Sequence, residues 1–363
     1  MYRVGRRSRR HTLGKFPTLG LADARDRARK ALLSVADGHD PARQKVENRD
    51  ALTFGLLAAD YMKRYSKIKK RSWREDQRII DVYLSPHLEH VIAKDVKRPD
   101  VRIILEKIAA TAPVMANRVR AVASKIFSWA ASQGLIENNP CNDLERPTKE
   151  QSRDRHLSAS EIKVVWWAID GDARFDPLRL ILITGQRPGE VANMRWQDVE
   201  MDEGVWILPG KSVKNGKTHR VPLSAAALRI LRIRQEERDV AAQPSDWVFE
   251  RPRRKDTPLT KDDVIRLVRR VRGQICDETP ESIEAWTAHD LRRTAATMMT
   301  TTGIADAPLV DRILNHSPKG VIAIYDRYQY FPQMKEALEA WGRQLTILAS
   351  DLRSVEGSAK VAN

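Results

Sequence analysis

The chain has 363 residues, more than twice the usual size of one domain, so we expect two or three domains. Hydrophobic residues make up 42%, too many for a disordered chain, and 64 Lys and Arg against 48 Asp and Glu give a net charge of +16. That surplus favours a polyanionic partner, and nucleic acid rather than a membrane, because no apolar run approaches the ~18 residues that a spanning helix needs.

The first 48 residues contribute early to this surplus, with 12 basic and 5 acidic side chains. Loose alternation of polar and apolar residues over 3–15 predicts a strand pair. Apolar residues three and four positions apart over 21–35 then predict a helix, which Gly38 stops. A turn and a polar linker follow, to about residue 50.

From residue 50 to about residue 150 the pattern is helical throughout, which predicts a small helical bundle. The segments with helical spacing are 54–65, 74–84, 99–110 and 114–134. Proline or glycine marks most of their boundaries.

The first helix of this bundle runs into a cationic segment with no acidic residue between positions 61 and 74. A charge run is usually only a solvated face. Here Tyr61, Tyr65 and Trp73 interleave with the cations, so we predict a helix end that contacts phosphates. The candidate DNA-binding residues are Lys63, Arg64, Lys67, Lys69, Lys70, Arg71 and Arg74.

Residues 142–156 predict an interdomain linker, and a second, mixed domain follows over 155–345. Two strands, at 205–208 and 219–223, are joined through Asn215-Gly216, a strong hairpin signal. Helices are expected at 160–169, 179–184, 225–240, 261–276, 291–302, 307–314 and 321–328. Residues 354–363 are small and polar, which predicts a frayed end. The expected fold class is therefore α+β: a helical bundle plus a mostly helical domain with a small antiparallel sheet.

Several residues of this second domain could carry chemistry. Thr287 and Asp290 fit a capping box that opens a helix, and His289 and Arg292 then share one face near its N-terminus, where an anion is favoured. Standing alone, the His289–Arg292 spacing is a weak signal, since a surface pair is the default interpretation.

Arg187 lies in a glycine-bounded turn, with Pro188 suited to the first helical position and Glu190 three residues on. One interpretation is a helix start with an internal ion pair. The other is an arginine presented at a helix N-terminus and steadied by Glu190. Lys214 directly precedes the Asn-Gly turn, so the tip of a hairpin carries it, although exposed lysines are common there.

His316 and Tyr325 are nine residues apart, which would put them on opposite faces of one continuous helix. Pro318 and Gly320 break that helix, so the chain can fold back and bring both residues into one site. A tyrosine in a helical segment is nevertheless normally part of a core or an interface.

Taken together, these residues resemble the tyrosine recombinase family, specifically its phage and genomic-island integrases. The six occur in order along the chain: Arg187, Lys214, His289, Arg292, His316 and Tyr325. Segment 184–191, TGQRPGEV, resembles the first arginine box of that family. HDLR at 289–292 is similar to its H-x-x-R box, and LNHS at 314–317 to its last histidine box.

The resemblance covers nearly the whole chain and implies its organisation. Residues 1–48 are similar to an arm-type DNA-binding module that starts part-way, as if about 30 residues of its usual sheet were missing. Residues 50–150 resemble the helical core-binding domain and 155–345 the catalytic domain, and 346–363 would be a C-terminal tail. The family's lysine lies just before the hairpin turn, which selects Lys214 over its competitors, Lys211 and Lys217.

The implied reaction is site-specific cutting and rejoining of DNA through a covalent 3′-phosphotyrosyl intermediate. Arg187 and Arg292 suit the phosphate because guanidinium groups stay charged and grip two oxygens at once. His289 suits acid–base work near neutral pH.

The remaining three roles follow from the resemblance. His316 would donate a hydrogen bond to the phosphate and position Tyr325, the nucleophile, while Lys214 would protonate the leaving 5′ oxygen. One ester replaces another, so no ATP is needed, and the cations do the work of a metal, so we expect no metal and no other cofactor. We interpret the other five histidines as structural or surface residues: His39, His87, His90, His156 and His219.

The implied partners are double-stranded DNA attachment sites, on which the chain would act as a homotetramer, with DNA-bending or directionality factors as possible accessories. The resemblance implies integration or excision of a prophage or genomic island, in the bacterial cytoplasm and at the nucleoid.

Three alternatives remain at this point. The same residues could support nicking and closing without strand exchange. A DNA-binding protein with a relic site predicts a damaged hexad, and none of the six is missing. A helix-rich RNA-binding protein predicts an aromatic ribonucleoprotein strand motif, which we do not find.

Overall fold

A computed structural model describes residues 1–4, 7–40, 51–151, 153–211, 216–252, 254–278, 283–316 and 330–360. The chain divides into two compact units, Met1–Ser152 and Arg153–Asn363. The fold is α+β, mainly helical with small antiparallel sheets, which confirms the predicted class.

The first unit opens with a small hairpin and a helix. Strand β1 (Tyr2–Val4) pairs antiparallel with β2 (Arg7–Arg9), so the predicted strand pair is present but lies nearer the start of the chain than expected. Helix α1 (Leu21–Ala36) ends just before Gly38, whose φ of +86° is the left-handed conformation that glycine adopts without strain. The predicted stop signal at Gly38 is thereby confirmed.

The rest of the first unit is a helical bundle. Its helices are α2 (Phe54–Tyr61), α3 (Lys67–Lys69), α4 (Trp73–Ile79), α5 (Ser85–Leu88), α6 (Arg98–Ala109) and α7 (Pro113–Ser132). Two π-helical turns, Met62–Ser66 and Ile80–Leu84, join α2 to α3 and α4 to α5. The apolar faces meet in one core, where the rings of Phe54 and Phe127 lie 5.7 Å apart.

A buried carboxylate fixes the break between α3 and α4. Asp76, only 3% exposed, accepts hydrogen bonds from Ser66 Oγ at 2.8 Å and from the Tyr61 hydroxyl at 3.2 Å. Lys70 Nζ donates to Asp76 Oδ1 at 2.6 Å and neutralises its charge. Burial and the nearby Asp76 charge raise the pKa of Tyr61, so its phenol stays protonated. One buried carboxylate therefore holds three residues of the basic segment in place: Tyr61, Ser66 and Lys70.

The second unit combines eight described α-helices with two small sheets. The helices are α8 (Ala159–Ile169), α9 (Asp176–Thr184), α10 (Pro188–Ala192), α11 (Ala225–Asp239), α12 (Lys261–Glu278), α13 (Ala288–Thr301), α14 (Ala307–Ile313) and α15 (Phe331–Lys360). The three-stranded sheet contains β3 (Val199–Glu200), β4 (Val205–Leu208) and β5 (His219–Pro222), and the two-stranded sheet contains β6 (Glu250–Arg251) and β7 (Arg254–Pro258).

Helix α9 lies at the centre of this unit, and its apolar residues are buried on nearly all sides. Helix α15 packs against it: the indole of Trp341 is fully buried, and its Nε1–H donates to the Leu182 carbonyl at 2.9 Å. Helix α13 also packs on α9, through Leu291 and Ala295. Because α9 is held so firmly, the turn that follows it has a fixed position.

Some elements differ from the prediction. Helix α15 is helical as far as Lys360, through part of the segment for which the sequence predicts a frayed end, because its first turns are anchored by Leu338, Trp341 and Leu345 and a helix propagates at little cost once begun. Strands β6 and β7 have charged and proline-rich sequences that give no alternating pattern. The predicted helix at 321–328 and Asn215 of the predicted turn lie outside the described residues. Within the described ranges, no helix has the length and apolar character that a membrane crossing requires.

Candidate active site

The site begins at the turn after α9. Gly185 closes this helix with φ at +66°, a left-handed conformation that a side chain would strain, and an added Cβ would lie 3.1 Å from Leu314 Cδ2. The turn directs the Gly185 carbonyl towards α13, where it accepts a hydrogen bond from Arg292 at 2.9 Å.

Arg187 occupies the N-cap position of α10 and is held by Glu190. Its Nη1 donates to Glu190 Oε1 at 2.8 Å, and its backbone N–H donates to Glu190 Oε2 at 3.1 Å. Nη2 reaches the Asn315 carbonyl at 3.4 Å. The side chain of Arg187 is 28% exposed, whereas that of Glu190 is 8% exposed. The ion pair and a partly accessible guanidinium, which the sequence offered as alternatives, therefore occur together.

A second buried carboxylate organises the start of α13. Asp290 accepts from the backbone N–H and the hydroxyl of Thr287, both at 2.9 Å, and from Arg293 Nη1 at 2.9 Å. The Asp290 half of the predicted capping box is present, while the Thr287 hydroxyl donates to that carboxylate instead of accepting from the helix. This arrangement fixes the first turn of α13 and sets His289 and Arg292 on their face of the helix.

Arg292 is the most buried cation of the site, with 3% exposure. Its Nη2 donates to the Leu314 carbonyl at 2.7 Å and lies 3.1 Å from His316 Nε2. Burial lowers the pKa of Arg292 to about 10, with a further contribution from the like charge of Arg187, while Glu190 acts in the opposite direction. Within the described residues no carboxylate forms an ion pair with Arg292. An anion bound beside Arg292 would offset the free-energy cost of burying its positive charge.

His316 follows Asn315, whose φ of +53° turns the chain after α14. The Nδ1 atom lies 2.8 Å from Asp311 Oδ1, and Nε2 lies 3.1 Å from Arg292 Nη2. A neutral His316 ring therefore carries its proton on Nδ1, since Asp311 accepts and Arg292 can only donate. The Nε2 atom is thus an acceptor in this arrangement.

His289 projects from the first turn of α13 with an exposed side chain. Partial loss of hydration lowers its pKa, and the charges of Arg293 and Arg292 lower it further. His289, Arg292 and His316 line one cleft of about 530 Å³, together with His156 and Asp311. A neutral imidazole thus lies beside a cationic centre, which is what proton transfer to His289 requires.

The structure brings together four of the six residues predicted for catalysis: Arg187, His289, Arg292 and His316. Lys214 and Tyr325 lie outside the described residues. The competing lysines, Lys211 and Lys217, are exposed on either side of the undescribed hairpin tip.

The predicted DNA-binding residues cluster at the α2–α4 region of the first unit. Lys63, Lys69 and Arg71 are exposed there. Lys67 Nζ and the Arg74 guanidinium lie 5.4 Å and 4.6 Å from the Trp73 ring centre, which confirms the interleaving of cations and aromatic rings. The other two are tied to carboxylates: Arg64 to Asp60 at 2.9 Å, and Lys70 to Asp76.

Three residues next to these sites were not predicted from the sequence to have a role there. Lys125, on α7, lies 4.8 Å from the Tyr65 ring centre, a contact across 60 positions that no local pattern reveals. Gln186 is fully buried and donates to the Ile313 carbonyl at 2.8 Å. His219, for which the sequence suggests only a structural or surface role, also reaches the Ile313 carbonyl, at 3.2 Å. In the part of the chain that the structure describes, no group of His, Cys, Asp and Glu side chains forms a metal site.

Three family models match this chain. They are the phage integrase family over residues 170–330, the phage integrase central domain over 54–147 and an arm DNA-binding domain over 1–48. The chain belongs to the phage integrase family. It is a site-specific DNA integrase of the tyrosine recombinase class, and all four described catalytic candidates lie within the 170–330 match.

Known integrases resemble this one along most of its length. The prophage integrase IntZ of Escherichia coli K12 is 24% identical over 98% of this chain and 88% of its own length. The integrase of Shigella phage Sf6 is 23% identical over 94% of this chain and 87% of its own. The fold matches a lambda integrase tetramer bound to a Holliday junction, with a TM-score of 0.63, 19% identity and coverage of 83% of this chain and 89% of that one.

Proposed function

We propose that this integrase cuts and rejoins DNA attachment sites through a covalent 3′-phosphotyrosyl intermediate on Tyr325. The observation that carries the proposal is the convergence of Arg187 and Arg292 on the neighbouring carbonyls of Asn315 and Leu314, beside a cleft that His289 and His316 line. Two guanidinium groups at one place can hold two non-bridging oxygens of a phosphodiester.

The reaction combines the described positions of Arg187, Arg292 and His289 with the roles that the family resemblance gives to Tyr325 and Lys214. The Tyr325 oxygen attacks phosphorus, His289 takes the phenolic proton, and the bond from phosphorus to the 5′ oxygen breaks. Lys214 supplies the proton that this oxygen needs to leave. Arg187 and Arg292 neutralise the charge that develops on the phosphate, and rejoining runs the same steps in reverse.

The role of His316 requires a change in its hydrogen bonds. While its Nε2 accepts from Arg292, it cannot donate to a phosphate. A bound phosphate replaces that contact as the acceptor for Arg292, and donation from His316 to the phosphate requires a second ring proton, on Nε2, while Nδ1 stays 2.8 Å from Asp311. His316 then donates from Nε2 to the phosphate and keeps its Nδ1 contact.

At the level of the molecule, we propose an arm-type module over 1–48, a core-binding domain over 50–150, a catalytic domain over 155–345 and a C-terminal tail over 346–363. The substrate is the attachment DNA of a prophage or genomic island, bound by four copies of the chain at the nucleoid. The fold match to a lambda integrase tetramer bound to a Holliday junction supports this assembly. DNA-bending or directionality factors would be its accessories.

The test is a nicked DNA substrate that carries the cognate site and traps the covalent product. The wild-type chain is expected to become attached to DNA, and Tyr325→Phe to bind the same DNA with no adduct, because the variant lacks the attacking oxygen. Tyr328→Phe is the matched control and is expected to form the adduct. Loss of the adduct in Tyr328→Phe alone would assign the nucleophile to Tyr328 and contradict the proposal.

A further inference from the structure

His219 stands at the base of the β4–β5 hairpin, opposite Leu208, as the first paired residue after the hairpin tip. Lys211 and Lys217 stand before and after residues 212–215 in the sequence, and Lys214, which lies outside the described residues, is one of these four. Whichever of the three lysines protonates the leaving oxygen, its position depends on how the base of this hairpin is held.

One carbonyl joins the hairpin to the rest of the site. The Ile313 carbonyl, at the end of α14, lies 3.2 Å from His219 Nε2 and accepts from Gln186 Nε2 at 2.8 Å. Gln186 directly precedes Arg187, and Ile313 lies three residues before His316. Three segments distant in sequence therefore meet at a single oxygen: the arginine turn, the hairpin and the end of α14.

The contact also defines which nitrogen of the His219 ring carries a proton. A carbonyl can only accept, so Nε2 of His219 carries a proton and donates it to Ile313. Burial lowers the pKa of His219, and the charges of Arg292 and Arg187 lower it further, against the opposite effects of the Ile313 hydrogen bond and Glu190. The ring is therefore neutral near pH 7 and adds no third positive charge to the arginine pair.

We propose that His219 is a positioning residue, which fixes the hairpin against the arginine turn through the Ile313 carbonyl and thereby places the lysine that protonates the leaving 5′ oxygen. This inference rests on the proposed function and extends it to a residue outside the catalytic six. His219 does not touch the DNA in this role.

The test uses the full chain in single-turnover cleavage of two suicide substrates, one natural and one with sulfur in place of the bridging 5′ oxygen. A thiolate leaves without a proton, because thiols ionise at about pH 8.5, far below alcohols. We expect His219→Leu to cleave the natural substrate about tenfold more slowly, the effect of one lost hydrogen bond on a barrier, and the sulfur substrate at nearly the wild-type rate.

His219→Gln is the matched variant, since its amide nitrogen can occupy the place of Nε2, and we expect it to recover most of the rate on the natural substrate. DNA affinity and thermal stability are measured for both variants, so that a misfolded protein is recognised. Equal slowing of His219→Leu on both substrates, no slowing on either, or a His219→Gln variant as slow as His219→Leu would each overturn the inference. Failure of the wild-type chain to form an adduct would instead count against the proposed function.

Discussion

Two guanidinium groups of like charge lie together at the centre of the site, and their surroundings give them different properties. Arg187 forms an ion pair with Glu190 and is partly exposed to solvent. Arg292 is bonded to the carbonyls of Gly185 and Leu314, and its pKa falls to about 10. The buried cation lacks a full counter-charge in the described site, so a phosphate that approaches it gains more than it would at the protein surface.

At the same scale, the pKa of His289 can be tested directly. The structure predicts a midpoint below the usual value of 6.5, so the ring is neutral at pH 7 and becomes protonated only as the pH falls through that lower midpoint. Replacing Arg293, the largest charge contribution, by Gln is expected to move the midpoint upward, because one nearby positive charge no longer opposes protonation. NMR titration of the His289 ring in the DNA-free protein measures this.

A second arginine serves as the control for that shift. Arg269, on α12, is not among the groups that alter His289, so Arg269→Gln is expected to leave the midpoint unchanged. An Arg293→Gln midpoint equal to or lower than that of the wild type would contradict the electrostatic explanation.

Single residues of the site could be predicted from the sequence, but their hydrogen-bond partners could not. Short motifs singled out Arg187, His289, Arg292 and His316, because each has a turn or cap signal beside it. The partners of Arg292 are carbonyls 107 and 22 positions away, and that of His219 is 94 positions away. Backbone carbonyls carry no sequence signature, so only the folded chain reveals the Ile313 contact.

At the scale of elements, the end of α9 controls the site through Gly185. We expect Gly185→Ala to lower the free energy of unfolding by about 1–2 kcal/mol, since a side chain at φ of +66° is strained, and to slow cleavage because the carbonyl that holds Arg292 shifts. Urea denaturation followed by tryptophan fluorescence and single-turnover cleavage measure the two effects.

Gly189, in α10, is the matched control. A Cβ added there meets nothing within 4 Å, and its φ is not in the left-handed region, so Gly189→Ala is expected to leave stability unchanged or raise it slightly. Equal losses in both variants would show that any side chain in this stretch is harmful, and that the left-handed turn is not the cause.

Elements with a strong internal period were predictable, and those without one were not. The apolar spacing of α1 and the glycine after it gave that helix within about one residue of each end. Strands β6 and β7 pair through a charged, proline-containing segment, and their stability comes from the surrounding unit rather than from β propensity. The same holds for the late part of α15, which extends from an anchored beginning.

At the scale of the whole molecule, the charge of +16 implies binding that weakens steeply with salt, because each phosphate contact releases counterions. On DNA that carries only the core site, we expect Lys63→Gln and Lys69→Gln each to reduce the slope of log K against log salt by about 0.9. Both side chains are exposed in the α2–α4 region. Fluorescence anisotropy over a salt series measures the slope.

Arg29, on α1, provides the control for this experiment. It is exposed like the two lysines and pairs with Asp26 at 2.7 Å, but it belongs to the segment that matches the arm DNA-binding domain. Arg29→Gln is expected to leave the slope on core DNA unchanged. A similar reduction in all three variants would mean that attraction comes from the net charge and not from localised contacts.

Arg292 has a role in the proposed reaction and a second role in holding the fold together. This combination has an evolutionary consequence. Its guanidinium ties together the ends of α9 and α14, so a descendant that lost this side chain would expose two unpaired carbonyls in its interior. His289 has an exposed side chain, and its loss would cost the fold little. A lineage that abandons recombination should therefore shed His289 long before Arg292, and a surviving arginine at this position in a decayed prophage is a sign of an intact fold, not of a working enzyme.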